Sequence, residues 1–142
     1  MKLVPEIGRV GKEVIYPLSP DDEKRAMELH DSSIVFDLHL HGVVNPESMD
    51  DLDEWNASMR YPCGYDGIKH AGLTAFIDGF GSMAHTWVMG DAIKEIGLRW
   101  CDMDHRHDAV IRGLRADDVI RAKNEGKTAI FMCIENAELI GN

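Results

Sequence analysis

The chain has 142 residues, of which 44% are hydrophobic and 28% charged, so a disordered protein is excluded and one ordinary domain is expected. The formal charge of -10 disfavours a nucleic-acid partner. No apolar run reaches the roughly 20 residues of a membrane span, and the N-terminus has no secretory signal, so we expect a cytoplasmic protein. The three cysteines lack paired spacing and are expected to be reduced thiols.

The first predicted elements follow an irregular lead-in over residues 1–19. Ser19 is a capping residue and Pro20 suits a first helical turn, so a helix is predicted to about Asp31. Residues 33–41 are apolar and rich in strand-forming side chains, which predicts a buried parallel strand.

A long polar loop is predicted over residues 42–66, with a helical turn near 50–59. Long loops in compact domains often carry function. Its aromatic residues Trp55, Tyr61 and Tyr65 either line a substrate pocket or attach the loop to the domain.

The rest of the chain alternates between helix and strand patterns. An apolar stripe predicts one amphipathic helix from Ile93 through Val110 and Ile111. The other predicted elements are a short helix (65–70), a strand (72–78), a helix (116–124) ended by Gly126, and a strand (127–134).

This order of strands and helices predicts an α/β fold with a parallel sheet. Such sheets carry their chemistry at the carboxyl ends of the strands, whether they stay open or close into a barrel. His39 and His41 end the first predicted strand, Asp78 the second and Glu135 the third.

His39 and His41 are the leading candidates for metal ligands, because residues i and i+2 of a strand point to the same side. Imidazoles suit zinc, and the carboxylate of Glu135 would be a third ligand and the catalytic carboxylate. Asp37 and Asp78 are predicted to support the site, and His85 to contact substrate. A surface or core pair of histidines is the competing interpretation.

Two further groups are weighed and assigned no ligand role. His105 and His107 fall on a predicted helix, where residues i and i+2 do not share a face. Cys133 lies within an apolar strand and is predicted to be a buried small side chain.

These segments resemble the membrane (renal) dipeptidase family of metallopeptidases. The similarity is carried by residues 34–41, 72–76 and 126–135, and it spans roughly residues 20 to 142 in matching order. It implies the N-terminal β/α units of a TIM-type (β/α)8 barrel, incomplete in this chain. It also implies that His39 is the first ligand, that His41 is the second, and that Glu135 bridges two zinc ions.

The chain departs from the family at two places. His41 stands where the family usually has an aspartate, and Asn136-Ala137-Glu138 stand where it often has glycines and a histidine. The departures favour a second interpretation, an amidohydrolase acting on a cyclic amide, lactone or phosphoester.

The leading functional prediction is a metal-dependent hydrolase that cleaves a peptide or amide bond with a metal-activated water. It would use one or two zinc ions, or other divalent metals, and take a dipeptide or another small molecule as substrate. An incomplete barrel exposes a sheet edge, so a homo-oligomer or a complementary chain is expected. A third interpretation is a non-catalytic truncated fragment or assembly subunit.

Overall fold

A computed structural model describes residues 18–41, 65–80 and 89–135. Its helices are α1 (Pro20–Ser32), α2 (Tyr65–His70), α3 (Met89–His105) and α4 (Ala116–Glu125). Its strands are β1 (Phe36–Leu40), β2 (Ala75–Phe80), β3 (Val110–Arg112) and β4 (Thr128–Ile134). The helical turn predicted at 50–59, Trp55, Tyr61 and His85 lie outside the described residues. None of the described helices is long and apolar enough to cross a membrane.

The four strands form one parallel sheet in the order β1-β2-β4-β3, which confirms the predicted α/β class. Strand β3 corrects the prediction that Val110 and Ile111 continue the helix before them. A turn over residues 106–109 ends α3, and the adjacent apolar side chains of β3 then pack on opposite faces of the sheet. Adjacent β-branched residues such as Val110 and Ile111 are typical of a strand that is buried on both faces.

Helices cover parts of both faces of the sheet, and the strand order explains why. The connection from β2 to β3 runs across the sheet in one direction, leaving the position between them for β4. The connection from β3 to β4 runs in the opposite direction. Right-handed crossovers in opposite directions place the connecting helices on opposite faces. One core therefore forms under α2 and α3 around Phe76 and Ile130, and a second under α4 around Ala75 and Ala129.

The helix ends predicted from the sequence are confirmed at two places. The backbone N–H of Asp22 donates to the Ser19 hydroxyl at 3.2 Å, which caps α1. Gly126 ends α4 with a φ of 66°, a left-handed conformation that costs a glycine little and other residues more.

Tyr65, at the start of α2, is anchored in the core of the domain. Its ring belongs to the core under α2 and α3, and its hydroxyl donates to the Asp102 carboxylate on α3. Burial, reinforced by the Asp102 charge, raises the pKa of Tyr65, so the hydroxyl stays a hydrogen-bond donor. Helix α2 begins at this residue, which confirms the short helix predicted over residues 65–70.

A buried set of charges joins β2 to α3. The guanidinium of Arg99 donates to the carboxylate of Asp78, and its Nη2 lies 2.7 Å from Glu95 Oε1. All three side chains are almost completely buried. Removing one partner of such a set leaves an uncompensated charge in a medium of low dielectric constant.

We expect Arg99→Met to lower the free energy of unfolding by about 3–5 kcal/mol, because two buried carboxylates each lose a positively charged partner. Lys24→Met is the matched control, since Lys24 forms an i,i+4 pair with Glu28 but is 76% exposed. Its substitution should cost less than about 0.5 kcal/mol. Urea unfolding followed by circular dichroism measures both, and equal losses would contradict the assigned role of the buried set.

Asp118 closes the start of α4. Its carboxylate accepts hydrogen bonds from the backbone N–H groups of Leu114 (2.9 Å) and Arg115 (3.1 Å). The hydrogen bond from Leu114 is the largest cause that lowers the pKa of Asp118, and Arg121 adds a favourable charge 3.0 Å away. Its contribution is therefore present above the unfolded pKa and lost as the pH falls through the lower folded value.

Asp118→Asn should accordingly be less stable than the wild type near pH 7, with a difference that shrinks below about pH 4. Urea midpoints measured across that pH range test this expectation. Asp117→Asn removes a charge from the same helical turn and controls for net charge. A difference between wild type and Asp118→Asn that is constant with pH would show that the carboxylate charge has no part in the cap.

Candidate metal centre

The site begins with an irregularity at the end of β1. Asp37 pairs with Phe76, but Leu40 pairs with Asp78, so β1 uses three steps where β2 uses two. This slip resembles a β-bulge, which re-aims the side chains that follow it. Residues that pair across strands share a face, so Asp37 and Leu40 lie on the same face although their spacing is odd.

The slip places His39 and His41 on the opposite face, towards Gly79 of β2. Regular alternation would instead put Asp37 on the same side as both histidines. The Asp37 carboxylate accepts a hydrogen bond from the backbone N–H of His39 at 2.9 Å. Asp37 therefore holds the irregular backbone that carries the first histidine.

His39, His41 and Glu135 come together at the carboxyl edge of the sheet. The Oε1 atom of Glu135 lies 3.4 Å from His39 Nε2 and 3.2 Å from His41 Nε2. One donor atom from each residue lies within 4.8 Å of the other two. The imidazoles are 64% and 62% exposed, whereas the Glu135 side chain is 20% exposed, so the cluster is open to solvent above a partly buried carboxylate.

A backbone carbonyl contacts the other ring nitrogen of His41. Its Nδ1 lies 2.9 Å from the carbonyl oxygen of Gly79. A carbonyl can only accept, so this contact is a hydrogen bond when Nδ1 carries the proton, and a neutral ring in that tautomer has its lone pair on Nε2, beside Glu135. Metal-binding histidines commonly have their second nitrogen held in this way.

The donor set fits zinc. Bonds of about 2.0–2.2 Å in a tetrahedron separate neighbouring donor atoms by about 3.4 Å, close to both distances measured from Glu135 Oε1. Two nitrogens and one carboxylate oxygen also match the His2Glu set of some catalytic zinc sites, which keep a fourth position for water. The three residues therefore offer ligand types that a divalent metal takes, with all three donor atoms within 4.8 Å of one another.

Asp78, which was predicted to support the site, lies elsewhere, as do the two histidines that were assigned no ligand role. Asp78 faces α3 and pairs with Arg99, on the face opposite to the cluster, so it supports the sheet and not the ligands directly. His107 Nδ1 contacts the Asp104 carbonyl at 2.9 Å, in the turn after α3, and neither it nor His105 joins a metal-like cluster among the described residues.

The structure corrects the prediction that Cys133 is buried. It also brings Gly79, to which the sequence analysis gave no role, next to the site. Cys133 is exposed, because α4 packs near the amino ends of β2 and β4 and leaves this part of the face uncovered within the described residues. The carbonyl of Gly79 contacts His41, and a Cβ atom at this position would meet Glu135 and His39. Its only sequence signal is its position directly after the predicted second strand.

Comparison with known proteins yields no match among family models, curated proteins or solved structures. The resemblance to the dipeptidase family therefore stays a prediction.

Zinc should stabilise the folded chain. At a free concentration of about 100 times its Kd, one bound ion adds about 2.7 kcal/mol to the free energy of unfolding. Urea unfolding of chelator-treated protein with and without zinc measures this increment. We expect His41→Ala to abolish it, whereas His107→Ala should keep it. The same increment in both variants would place the zinc outside the cluster.

Proposed function

We propose that the chain is part of a metal-dependent hydrolase of the membrane dipeptidase type, which cleaves a peptide or amide bond. The convergence of His39, His41 and Glu135 from β1 and β4 carries the proposal. These strands are not neighbours, so the cluster is not a by-product of local sequence. Three ligands of the right chemistry at the carboxyl edge of a parallel sheet are typical of metallohydrolase sites.

Each ligand has a distinct part in the proposed site. The imidazoles of His39 and His41 bind as neutral donors, and Glu135 brings the one negative charge of the set. Bound by these three residues, a zinc ion would lower the pKa of a bound water to about 7 and so provide the hydroxide nucleophile. The second carboxylate oxygen of Glu135 gives the residue the means to bridge to another ion.

The charge of the donor set bears on the substrate. With His41 in place of the family's aspartate, the three ligands carry one negative charge and not two. A bound dication keeps more of its positive charge, which favours the ionisation of its water and the polarisation of a carbonyl or phosphoryl oxygen. This substitution is the observation that favours the second candidate, an amidohydrolase acting on cyclic amides, lactones or phosphoesters.

We also propose that the sheet belongs to a TIM-type barrel. Along the sheet, β1, β2 and β4 follow the order of the chain, and their carboxyl ends carry the site, whereas the short strand β3 lies beyond β4 and out of chain order. Helix α4 packs against Ala75 and Ala129, near the amino ends of β2 and β4. A barrel closed around this face would therefore hold α4 at its amino-terminal end and keep the carboxyl end for chemistry.

Exposed apolar side chains support the proposal that further strands or a second chain cover the sheet. Phe36, Leu38 and Ile134 are large, apolar and exposed on β1 and β4. Strand β3 pairs only with the first three residues of β4, 128–130. Among the described residues, the rest of that edge of β4 has no partner strand. A complementary chain or a second copy is the proposed partner, and the cytoplasm the proposed compartment.

The central test is hydrolysis by zinc-loaded protein with the ligand Glu135 replaced. Glu135→Gln should lower kcat/KM for a cleaved dipeptide by more than about 100-fold, since removing only an outer partner of a ligand already costs 10–100-fold. Glu125→Gln is the matched control, because Glu125 pairs with Lys127 on the surface. A panel of dipeptides, cyclic amides, lactones and phosphoesters then decides between the two candidates. Zinc-loaded wild type that cleaves none of them would overturn hydrolysis by this chain alone and favour the third interpretation, a non-catalytic fragment or assembly subunit.

A further inference from the structure

Gly79 lies at the centre of the cluster although it contributes no side chain. It is a buried residue of β2, flanked by β1 on one side and by its pairing partner Cys133 of β4 on the other. Its carbonyl oxygen accepts the Nδ1–H of His41 at 2.9 Å. Its backbone is not in the left-handed region, so conformation alone does not require a glycine here.

A glycine is needed at position 79 because a side chain there would collide with the candidate ligands. A Cβ atom at position 79 would lie 2.6 Å from Glu135 Oε1 and 3.1 Å from His39 Cε1. The first separation is shorter than real Cβ contacts, and the second is tighter than most. The atom displaced would be Oε1, the oxygen that lies beside both imidazole Nε2 atoms.

The backbone of Gly79 has little room to move away. Asp78, the preceding residue, is completely buried and bound to Arg99 on the opposite face. Gly79 also lies within the parallel pairing between β2 and β4. A side chain at position 79 would therefore displace the ligands and not the strand.

We propose that Gly79 is a positioning residue of the metal centre, acting in two ways. Its carbonyl holds His41 in the tautomer that presents Nε2 to the metal. Its missing side chain lets Glu135 and His39 approach the same point. The inference rests on the proposed metal-dependent function and adds a residue that is not itself a ligand.

The first test compares zinc affinities of three alanine variants in the full chain. Gly79→Ala should weaken zinc binding by about 10–100-fold, the usual cost of losing a ligand's supporting contacts. Gly97→Ala should leave it unchanged, because a Cβ there meets nothing within 4 Å. Gly113→Ala is the packing control, since its Cβ would lie 2.6 Å from the Phe131 ring, away from the ligands.

The expected result is a loss of affinity in Gly79→Ala that exceeds the loss in Gly113→Ala, with circular dichroism showing that both fold. Equal affinities in all three variants would overturn the inference and leave the metal-dependent function standing. No zinc binding by the wild type would instead overturn the function on which the inference rests.

The second test needs no variant to fold and no metal. Nitrogen-15 NMR of histidine-labelled wild type, free of metal and at a pH where imidazoles are neutral, reports which ring nitrogen carries the proton. We expect the Nδ1–H form for His41. The Nε2–H form would overturn the role of the Gly79 carbonyl, whatever the zinc measurements give.

Discussion

The common direction of the strands is the constraint on which the site depends. Because β1, β2 and β4 are parallel, their carboxyl ends meet at one edge of the sheet. Neighbouring strands lie about 4.8 Å apart, so β1 and β4 are separated by about 10 Å with β2 between them. Histidine and glutamate side chains can span that gap only if the middle strand leaves room above it, and Gly79 leaves that room.

Successive residues of β2 serve the two faces of the sheet in different ways. Asp78 points into the core under α3, where Arg99 neutralises it at the cost of burying several charges. Gly79 lies beside the cluster. Its carbonyl contacts His41, and its lack of a side chain leaves space for Glu135 and His39. The buried charges thus fix the strand on the face covered by α3, and the candidate ligands lie on the opposite face. Asp78 and Glu135 both end predicted strands, and the structure places them on opposite faces of the sheet.

Much of the fold was predictable because local patterns specify it. The cap at Ser19, the glycine at the end of α4 and the apolar runs of β1, β2 and β4 depend on neighbours in the chain. Strand β3 was not predictable in this way. Its apolar spacing continues the helical stripe before it, and only pairing with β4 makes the extended form favourable. The exposure of Cys133 also depended on where α4 packs.

For the candidate site, the sequence by itself determined the ligand chemistry: two imidazoles at the end of one apolar strand and a carboxylate at the end of another. The tertiary structure alone decided that Asp78 lies on the opposite face of the sheet from the cluster, and that Nε2 is the nitrogen of His41 beside Glu135. The reason is that the face and register of a strand depend on pairing with distant strands. The slip between Asp37 and Leu40 turns His39 and His41 towards Gly79, and no local pattern in β1 announces it.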